Sequence, residues 1–170
     1  MKNTSKFAAL TIAMIAFAAT SFAQVSATAT TTANVITPIA ISKTVDMNFG
    51  NIAVSPVNAG TVVLAPAGTR TKTGGVTLPA VTGTVAAASF SVTGLGTSTY
   101  AISLPGTITL TGTPSGTMTV NNFVSDPSGT GALVAGSQTV NVGGTLNVGA
   151  GQAAGVYTNT TDMTVTVNYN

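Results

Sequence analysis

The chain has 170 residues, with five Lys or Arg, three acidic residues that are all Asp, and no His, Cys or Trp. Imidazole bases, thiolate nucleophiles and the usual transition-metal ligands are therefore missing, which excludes most hydrolase designs. We expect a protein that is not an enzyme and has no catalytic, cofactor-binding or metal-binding residues.

The N-terminus, residues 1–23, has the pattern of a secretory signal peptide. Two lysines precede an apolar run at residues 7–19, and the small residues Ser21 and Ala23 stand just before the predicted cleavage point. The apolar run is shorter than the about 20 residues that span a bilayer. We expect export through the Sec pathway to the periplasm, the cell surface or the medium, and no membrane span in residues 24–170.

The charges balance once the predicted signal peptide is removed. Three cations and three anions remain, so three minus three leaves a net charge of zero: Lys43, Arg70, Lys72, Asp46, Asp126 and Asp162. Scattered cations do not make the basic surface that nucleic acid needs, so we expect no nucleic-acid partner. A near-neutral surface associates easily, which favours self-association.

The first predicted strand, residues 25–35, alternates Val and Ala with Ser and Thr side chains. Pro38 places the next run, residues 36–45, at a sheet edge or a bend. Further strands are predicted at residues 46–52, 60–65, 69–78, 88–93, 99–104, 107–111, 118–125, 138–142 and 145–148.

Three features within these strands are distinctive. Arg70 and Lys72 share one strand face, where charges are typical of a solvated edge that resists pairing with another sheet. The inward register slips between Val120 and Phe123, which predicts a bulge. The pair Gly143-Gly144 is expected to separate two strands.

The last predicted strand ends the sequence. Met163, Val165, Val167 and Tyr169 alternate with polar residues, so the strand has one apolar face. We expect this strand to lie inside a sheet and to close the fold.

The pattern as a whole indicates an all-β protein. We count about nine to eleven short strands, with turn signals roughly every 8 to 12 residues and no helical period. This predicts one antiparallel β-sandwich domain at residues 24–170. Recurring Thr-x-Thr pairs suggest a solenoid as the rival fold, but they lack the fixed period that its coils require.

Two short motifs have weak binding potential. Asp46 and Asn48 could supply two oxygen ligands to Ca²⁺, but the motif lacks the remaining ligands. Asn159 begins an Asn-Thr-Thr glycosylation pattern, which in a bacterial-looking exported chain is a chance match.

Several motifs resemble the bacterial exported family catalogued as domain of unknown function 4402. The similarity covers the whole of residues 24–170, and its motifs are Ile36-Thr-Pro-Ile39, Asn48-Phe-Gly-Asn51, Pro66-Ala-Gly-Thr-Arg70, Gly74-Gly-Val76, Ser89-Phe-Ser-Val-Thr-Gly94, Leu146-Asn-Val-Gly149, Gly155-Val-Tyr157 and Val165-Thr-Val-Asn-Tyr169. The resemblance implies an immunoglobulin-like β-sandwich at the surface of a Gram-negative cell, in the company of spore-coat-U-like and fimbrial proteins.

The C-terminus is also similar to chaperone–usher pilins, which end in alternating apolar residues with a penultimate aromatic, here Tyr169. The chain departs from them in having no disulfide and in the position of the glycine before the strand, Gly155. A periplasmic chaperone and an usher are the partners that this similarity implies.

Two hypotheses for function follow. The first is a non-enzymatic subunit of a surface fibre or coat, or an adhesion component, joined to its neighbours by main-chain ladder bonds. The second is a monomeric module that binds glycan or another surface polymer. Residues 24–35 could be a donor arm for the next subunit or the domain's own first strand. Their small side chains bury little area, so we expect the strand to fold in cis.

Overall fold

The computed structural model describes residues 24–170, so the predicted signal peptide lies outside the described residues. Within them the chain divides into two units, one ending at Val35 and one formed by Ile36–Asn170. Residues 24–35 lie in no strand, and their side chains are exposed. The strands all belong to Ile36–Asn170: β1 (Ala40–Val45), β2 (Ala53–Val54), β3 (Gly60–Leu64), β4 (Arg70–Gly74), β5 (Val76–Thr77), β6 (Ala88–Thr93), β7 (Thr99–Ser103), β8 (Ile108–Thr113), β9 (Thr117–Asp126), β10 (Thr130–Ala132), β11 (Ser137–Val148), β12 (Val156–Thr158) and β13 (Thr166–Tyr169).

The largest sheet has eight antiparallel strands and is organised around β11. One side of β11 pairs with β9, while its other side pairs first with β6 and then with β3. The main path runs β1-β6-β11-β9-β8-β12, and β4 pairs with the outer side of β3. The long strand β11 therefore joins β1 and β6 to β3 and β4 in one sheet, with β9, β8 and β12 on its other side.

The exchange of partners along β11 occurs at Gly143-Gly144. A Cβ on Gly143 would overlap the backbone carbonyl oxygen of Leu64, so only glycine lets β3 approach this closely. The prediction that this pair separates two strands is wrong. Glycine here permits close approach inside one continuous strand.

The predicted bulge is confirmed, and it lies opposite the same glycines. Gly143 pairs with Val124 and Thr145 pairs with Asn121, so β9 has one residue more than β11 between these pairs. Asn122 has a φ of 49°, a left-handed conformation that fits such an insertion.

Two small sheets, β10-β7-β13 and β2-β5, complete the sandwich. The first small sheet shares a core cluster with β6 and the first half of β11: Ala88, Phe90, Val92, Tyr100, Ile102, Leu133, Val140, Val142, Val165 and Val167. The second shares a cluster with β3, β8, β9 and the last part of β11: Phe49, Val62, Leu64, Val76, Ile108, Met118, Val120, Leu146 and Val148. The prediction of an all-β antiparallel sandwich is confirmed, and its immunoglobulin-like arrangement stays a prediction.

The outward face of the large sheet is polar because buried apolar residues alternate with exposed polar residues along its strands. Across five neighbouring strands the register aligns one row of hydroxyl and amide side chains: Thr73, Thr61, Asn147, Thr119 and Thr109. The Thr-x-Thr pairs that contain Thr109 and Thr119 thus lie on neighbouring antiparallel strands of this sheet, as alternation with a buried face requires.

The two ends of the described chain differ from expectation. The predicted first strand at residues 25–35 is wrong, since the first strand is β1, which begins at Ala40. β1 is an edge strand, as Pro38 predicted.

The apolar face of the last strand is confirmed, because Val165 and Val167 are buried between exposed neighbours. β13 nevertheless lies at the edge of its small sheet, where β7 is its one partner among the described strands. No helix among residues 24–170 has the length and hydrophobicity needed to cross a bilayer.

Candidate functional site: an apolar groove in the sandwich

A groove of about 1030 Å³ opens into the second core cluster. One wall is the segment from the end of β1 to β2, and the other runs from Gln152 through β12 to Met163. The floor consists of side chains from β6, β8, β9 and β11: Ala88, Phe90, Ile108, Leu110, Met118, Val120 and Leu146. This opening, which we call the groove, is the candidate functional site.

The floor of the groove is formed by side chains that belong to both core clusters. Phe90 of the first cluster keeps 8% of its surface exposed, and Ile108 and Met118 of the second keep 6% each, so little of each side chain faces the opening.

The first wall is held in place by Arg70. Its guanidinium donates one hydrogen bond to the carbonyl oxygen of Phe49 and another, of 3.1 Å, to that of Asn51. Phe49 is buried in the second cluster, while Asn48 pairs through its backbone with Ala86. β4 lies at a sheet edge, as predicted. Its Arg70 has the further role of holding the first wall in place. Only the fold could reveal this contact, because 19 to 21 residues separate the donor from its acceptors.

The second wall is held by Tyr157. Its hydroxyl donates to the carbonyl oxygen of Ala153 over 2.7 Å and accepts a hydrogen bond of 2.9 Å from the amide of Gln152. The same amide donates to the carbonyl oxygen of Thr117 over 3.1 Å. These bonds fix the loop before β12 against the large sheet.

The rest of this wall is a turn built by Asn159. Its side-chain oxygen accepts the backbone N–H groups of Thr161 and Asp162, and its amide donates to the carbonyl oxygen of Thr109 over 2.8 Å. Hydrogen bonds from Thr161 and Asn159 hold the pKa of the Asp162 carboxyl below its usual range. The turn sets the position of Met163, which lines the groove. Both walls are therefore built before any ligand arrives.

Two strand edges border the groove. β2 pairs only with β5 and β12 only with β8 among the described strands, and residues of both β2 and β12 line the opening. Neither strand contains a charged residue. By contrast, the edge strands β1 and β4 carry the cations Lys43, Arg70 and Lys72. The groove thus combines an apolar floor with uncharged strand edges, which is the chemistry that an added β-strand uses.

Asp46 and Asn48, which the sequence suggested as weak Ca²⁺ ligands, have other partners. The Asp46 carboxylate forms an ion pair with Lys43, and the Asn48 side-chain oxygen accepts the backbone N–H of Gly50 over 2.8 Å. Both residues lie on the rim of the groove. Among the described residues no cluster of three or more His, Cys, Asp or Glu side chains could hold a metal ion.

The aromatic side chains of residues 24–170 are in the core or at its margin. Phe49, Phe90 and Tyr100 are buried, while Phe123, Tyr157 and Tyr169 are half-buried. Tyr100 donates to the side-chain oxygen of Gln138 over 2.7 Å, and burial raises its pKa. None of these six rings forms an exposed platform for stacking against a sugar.

The chain was compared with protein families, curated proteins and solved structures. The family model described as "Domain of unknown function (DUF4402)" matches residues 39–169, a segment that includes both walls and the whole floor of the groove. No curated protein and no solved structure matches the chain.

Proposed function

The chain belongs to the family of domain of unknown function 4402, and on that premise we propose that it is an exported, non-enzymatic structural protein. In this proposal it is a subunit of a fibre or coat at the cell surface, or an adhesion component, and it associates with its own kind. Main-chain ladder bonds between subunits supply the affinity, and apolar side chains supply the fit.

The observation that carries the proposal is the position of two uncharged strand edges, those of β2 and β12, beside the apolar floor of the groove. Natural proteins protect exposed edges with charged residues, as Lys43 does on β1 and Lys72 on β4. The edges of β2 and β12 have no such charge, and both border a groove whose floor is apolar. These two edges are short, with two and three residues, and what supports assembly by strand addition is that both lie beside an apolar floor.

The charge of the chain supports the same proposal. Residues 24–170 have balanced cations and anions, and the side chains of Lys43 and Asp46 neutralise each other on the groove rim. Long-range repulsion between copies is therefore weak.

Export and partners follow within the proposal. The N-terminal pattern supports export through the Sec pathway. An open groove with uncharged edges favours aggregation before assembly, so a periplasmic chaperone that covers it, and an usher that receives the subunit, fit this chemistry.

Assembly of the purified protein tests the proposal. We expect gel ladders and fibres under the electron microscope that grow with protein concentration. Val156 on β12 is 69% exposed, so Val156→Lys should leave the monomer folded and reduce assembly, because a lysine blocks the edge. Val134→Lys is the matched control, since Val134 is 74% exposed and does not line the groove. A protein that stays monomeric at high concentration and binds glycan on an array would contradict the proposal and favour a monomeric binding module.

A further inference from the structure

We propose that a depression on the outward face of the large sheet binds one sugar ring of a neutral polysaccharide. The depression has a volume of about 440 Å³ and lies where the start of β3 pairs with the end of β11. Its lining residues are Ala59, Gly60, Thr61, Asn147, Val148 and Gly149. None of them lines the groove, so this proposal does not depend on the proposed function.

The depression lies beside a pair of polar side chains. Thr61 and Asn147 are paired in register on the outward face. The next outward positions along the two chains are Ala59 and Gly149, so the surface beside the polar pair consists of a methyl group and bare backbone. The volume falls in the range of about 300 to 1,000 Å³ that is typical of ligand sites. An aliphatic surface of this size can contact the C–H face of a sugar ring.

The side chain of Asn147 is oriented by the neighbouring strand. Its amide nitrogen contacts three acceptors on β9: the carbonyl oxygen and the hydroxyl of Thr119, at 3.3 Å each, and the side-chain oxygen of Asn121, at 3.1 Å. β11 lies between β9 and β3 at this point, so the other branch of the planar amide, the oxygen, lies on the β3 side. Since no buried side-chain oxygen or nitrogen of the described residues lacks a partner, this oxygen is open to solvent and can accept a hydrogen bond from a ligand.

The hydroxyl of Thr61 supplies the second polar contact. It shares a hydrogen bond of 2.7 Å with the hydroxyl of Thr73 on β4, whereas no hydrogen bond joins the side chains of Thr61 and Asn147 in the described part of the chain. The polar row is therefore interrupted at the place where the depression opens. Neighbouring hydroxyl groups of a sugar ring both donate and accept, so one can donate to the Asn147 oxygen while the next bonds to Thr61.

The charge of the site selects a neutral sugar. No charged residue lines the depression. On β4, Lys72 is paired in register with the buried Val62, so alternation directs its side chain away from the face that carries Thr61 and Thr73. An anionic sugar would have no cation to pair with, and binding of a neutral one should depend little on salt concentration. Because no aromatic platform adds to the contact, we expect a millimolar dissociation constant for a single ring, and repetition along a polysaccharide raises the avidity.

Saturation-transfer difference NMR with defined oligosaccharides tests the proposal on the folded protein. The neutral probes are maltohexaose, cellohexaose and chitohexaose, and the anionic probe is a hyaluronan hexasaccharide. We expect transfer of magnetisation to at least one neutral probe and none to the hyaluronan. Absence of transfer to all three neutral probes, or equal transfer to the anionic one, would overturn the proposal.

Thr61→Val and Thr73→Val are a matched pair for locating the site. Both remove the hydrogen bond between the two hydroxyls, so they should lose similar stability, but only Thr61 lines the depression. We expect Thr61→Val to weaken binding of the neutral probe about threefold to tenfold, as loss of one ligand hydrogen bond predicts. Thr73→Val should leave binding nearly unchanged. Equal affinities of the two variants would overturn the assignment of the site.

A second pair of variants closes the depression without touching the sheet. Ala59 is exposed, so Ala59→Glu should fold normally and place a charged side chain over the aliphatic surface. Ala67→Glu is the control, because Ala67 is exposed in the turn at the other end of the β3–β4 hairpin and does not line the depression. We expect Ala59→Glu to abolish transfer to the neutral probe and Ala67→Glu to retain it. Retention of binding in Ala59→Glu would overturn the proposal.

Discussion

The phenol oxygen of Tyr169 lies 2.9 Å from the backbone carbonyl oxygen of Thr37 and donates a hydrogen bond to it. The same oxygen accepts a hydrogen bond of 2.7 Å from the backbone N–H of Leu95. One side chain on the last strand therefore joins the segment before β1 to the turn between β6 and β7.

Tyr169→Phe should remove both bonds while keeping the ring. A typical intramolecular hydrogen bond contributes about 0.5 to 1.5 kcal/mol to stability, so we expect the free energy of unfolding to fall by about 1 to 2 kcal/mol. The melting temperature should fall by roughly 2 to 8 °C. Asn168→Ala, on the exposed face of the same strand, is the control, and equal melting of the two variants would contradict the role of the phenol.

Val165→Asp should prevent soluble folding. Val165 is 8% exposed in the first core cluster, so the substitution places an unpaired carboxylate among apolar side chains. The expected cost is about 3 to 5 kcal/mol, a large part of a domain's stability. Thr164→Asp, on the exposed side next to it, should express and melt normally. Soluble Val165→Asp protein with an unchanged melting temperature would refute the burial of this face.

Arg70→Ala should loosen the first wall of the groove. It removes charge-assisted bonds to the carbonyl oxygens of Phe49 and Asn51, and bonds of this class contribute about 1.5 to 3 kcal/mol. Urea unfolding should show that the free energy of unfolding falls by an amount near the lower end of this range, because Arg70 is partly exposed. Lys72→Ala is the matched control on the same strand and face, and it should stay within about 0.5 kcal/mol of the unsubstituted protein. The interpretation of Arg70 as a brace fails if the two variants unfold alike.

Gly143→Ala should strain the centre of the large sheet. The added methyl would overlap the carbonyl oxygen of Leu64, which belongs to the backbone of β3 and cannot move without breaking its ladder. Overpacking of this kind costs about 1 to 3 kcal/mol. Gly106→Ala, where no atom lies within 4 Å of the new methyl, is the control for thermal unfolding. Identical stabilities would mean that β3 can shift at no cost.

Thr161→Ala should raise the pKa of Asp162. The Thr161 hydroxyl donates to the ionised carboxylate over 2.8 Å and is the largest cause of the lowered pKa. Because the folded pKa is depressed, the carboxylate stabilises the turn above its ordinary pKa, and this contribution is lost as the pH falls through the lowered value. A carboxyl titration by NMR measures the change, with Thr160→Ala as the control. A pKa that stays low in Thr161→Ala would assign the shift to Asn159 instead.

The sequence alone determined the class of the fold and the identity of most strands. Alternation identified the buried faces of β6, β7 and β13, because a strand with one buried face must repeat every two residues. The slip between Val120 and Phe123 identified the bulge for the same reason. Pro38 and the cations of β4 marked edges, because each is a local property of a strand that pairs on one side.

The groove and its walls were decided only by the tertiary structure. Alternation says which face of a strand is apolar but not which strand lies next to it, so the order around β11 could not be predicted. The Gly143-Gly144 pair has the same local signature in a turn as in a close approach to Leu64, and only the neighbouring strand distinguishes them. Residues 25–35 show the limit most clearly, since their alternation describes a strand equally well wherever its partner lies. The sequence determined that this segment can form a strand, whereas the structure has it in no strand, because alternation alone does not supply the neighbouring strand that a ladder requires.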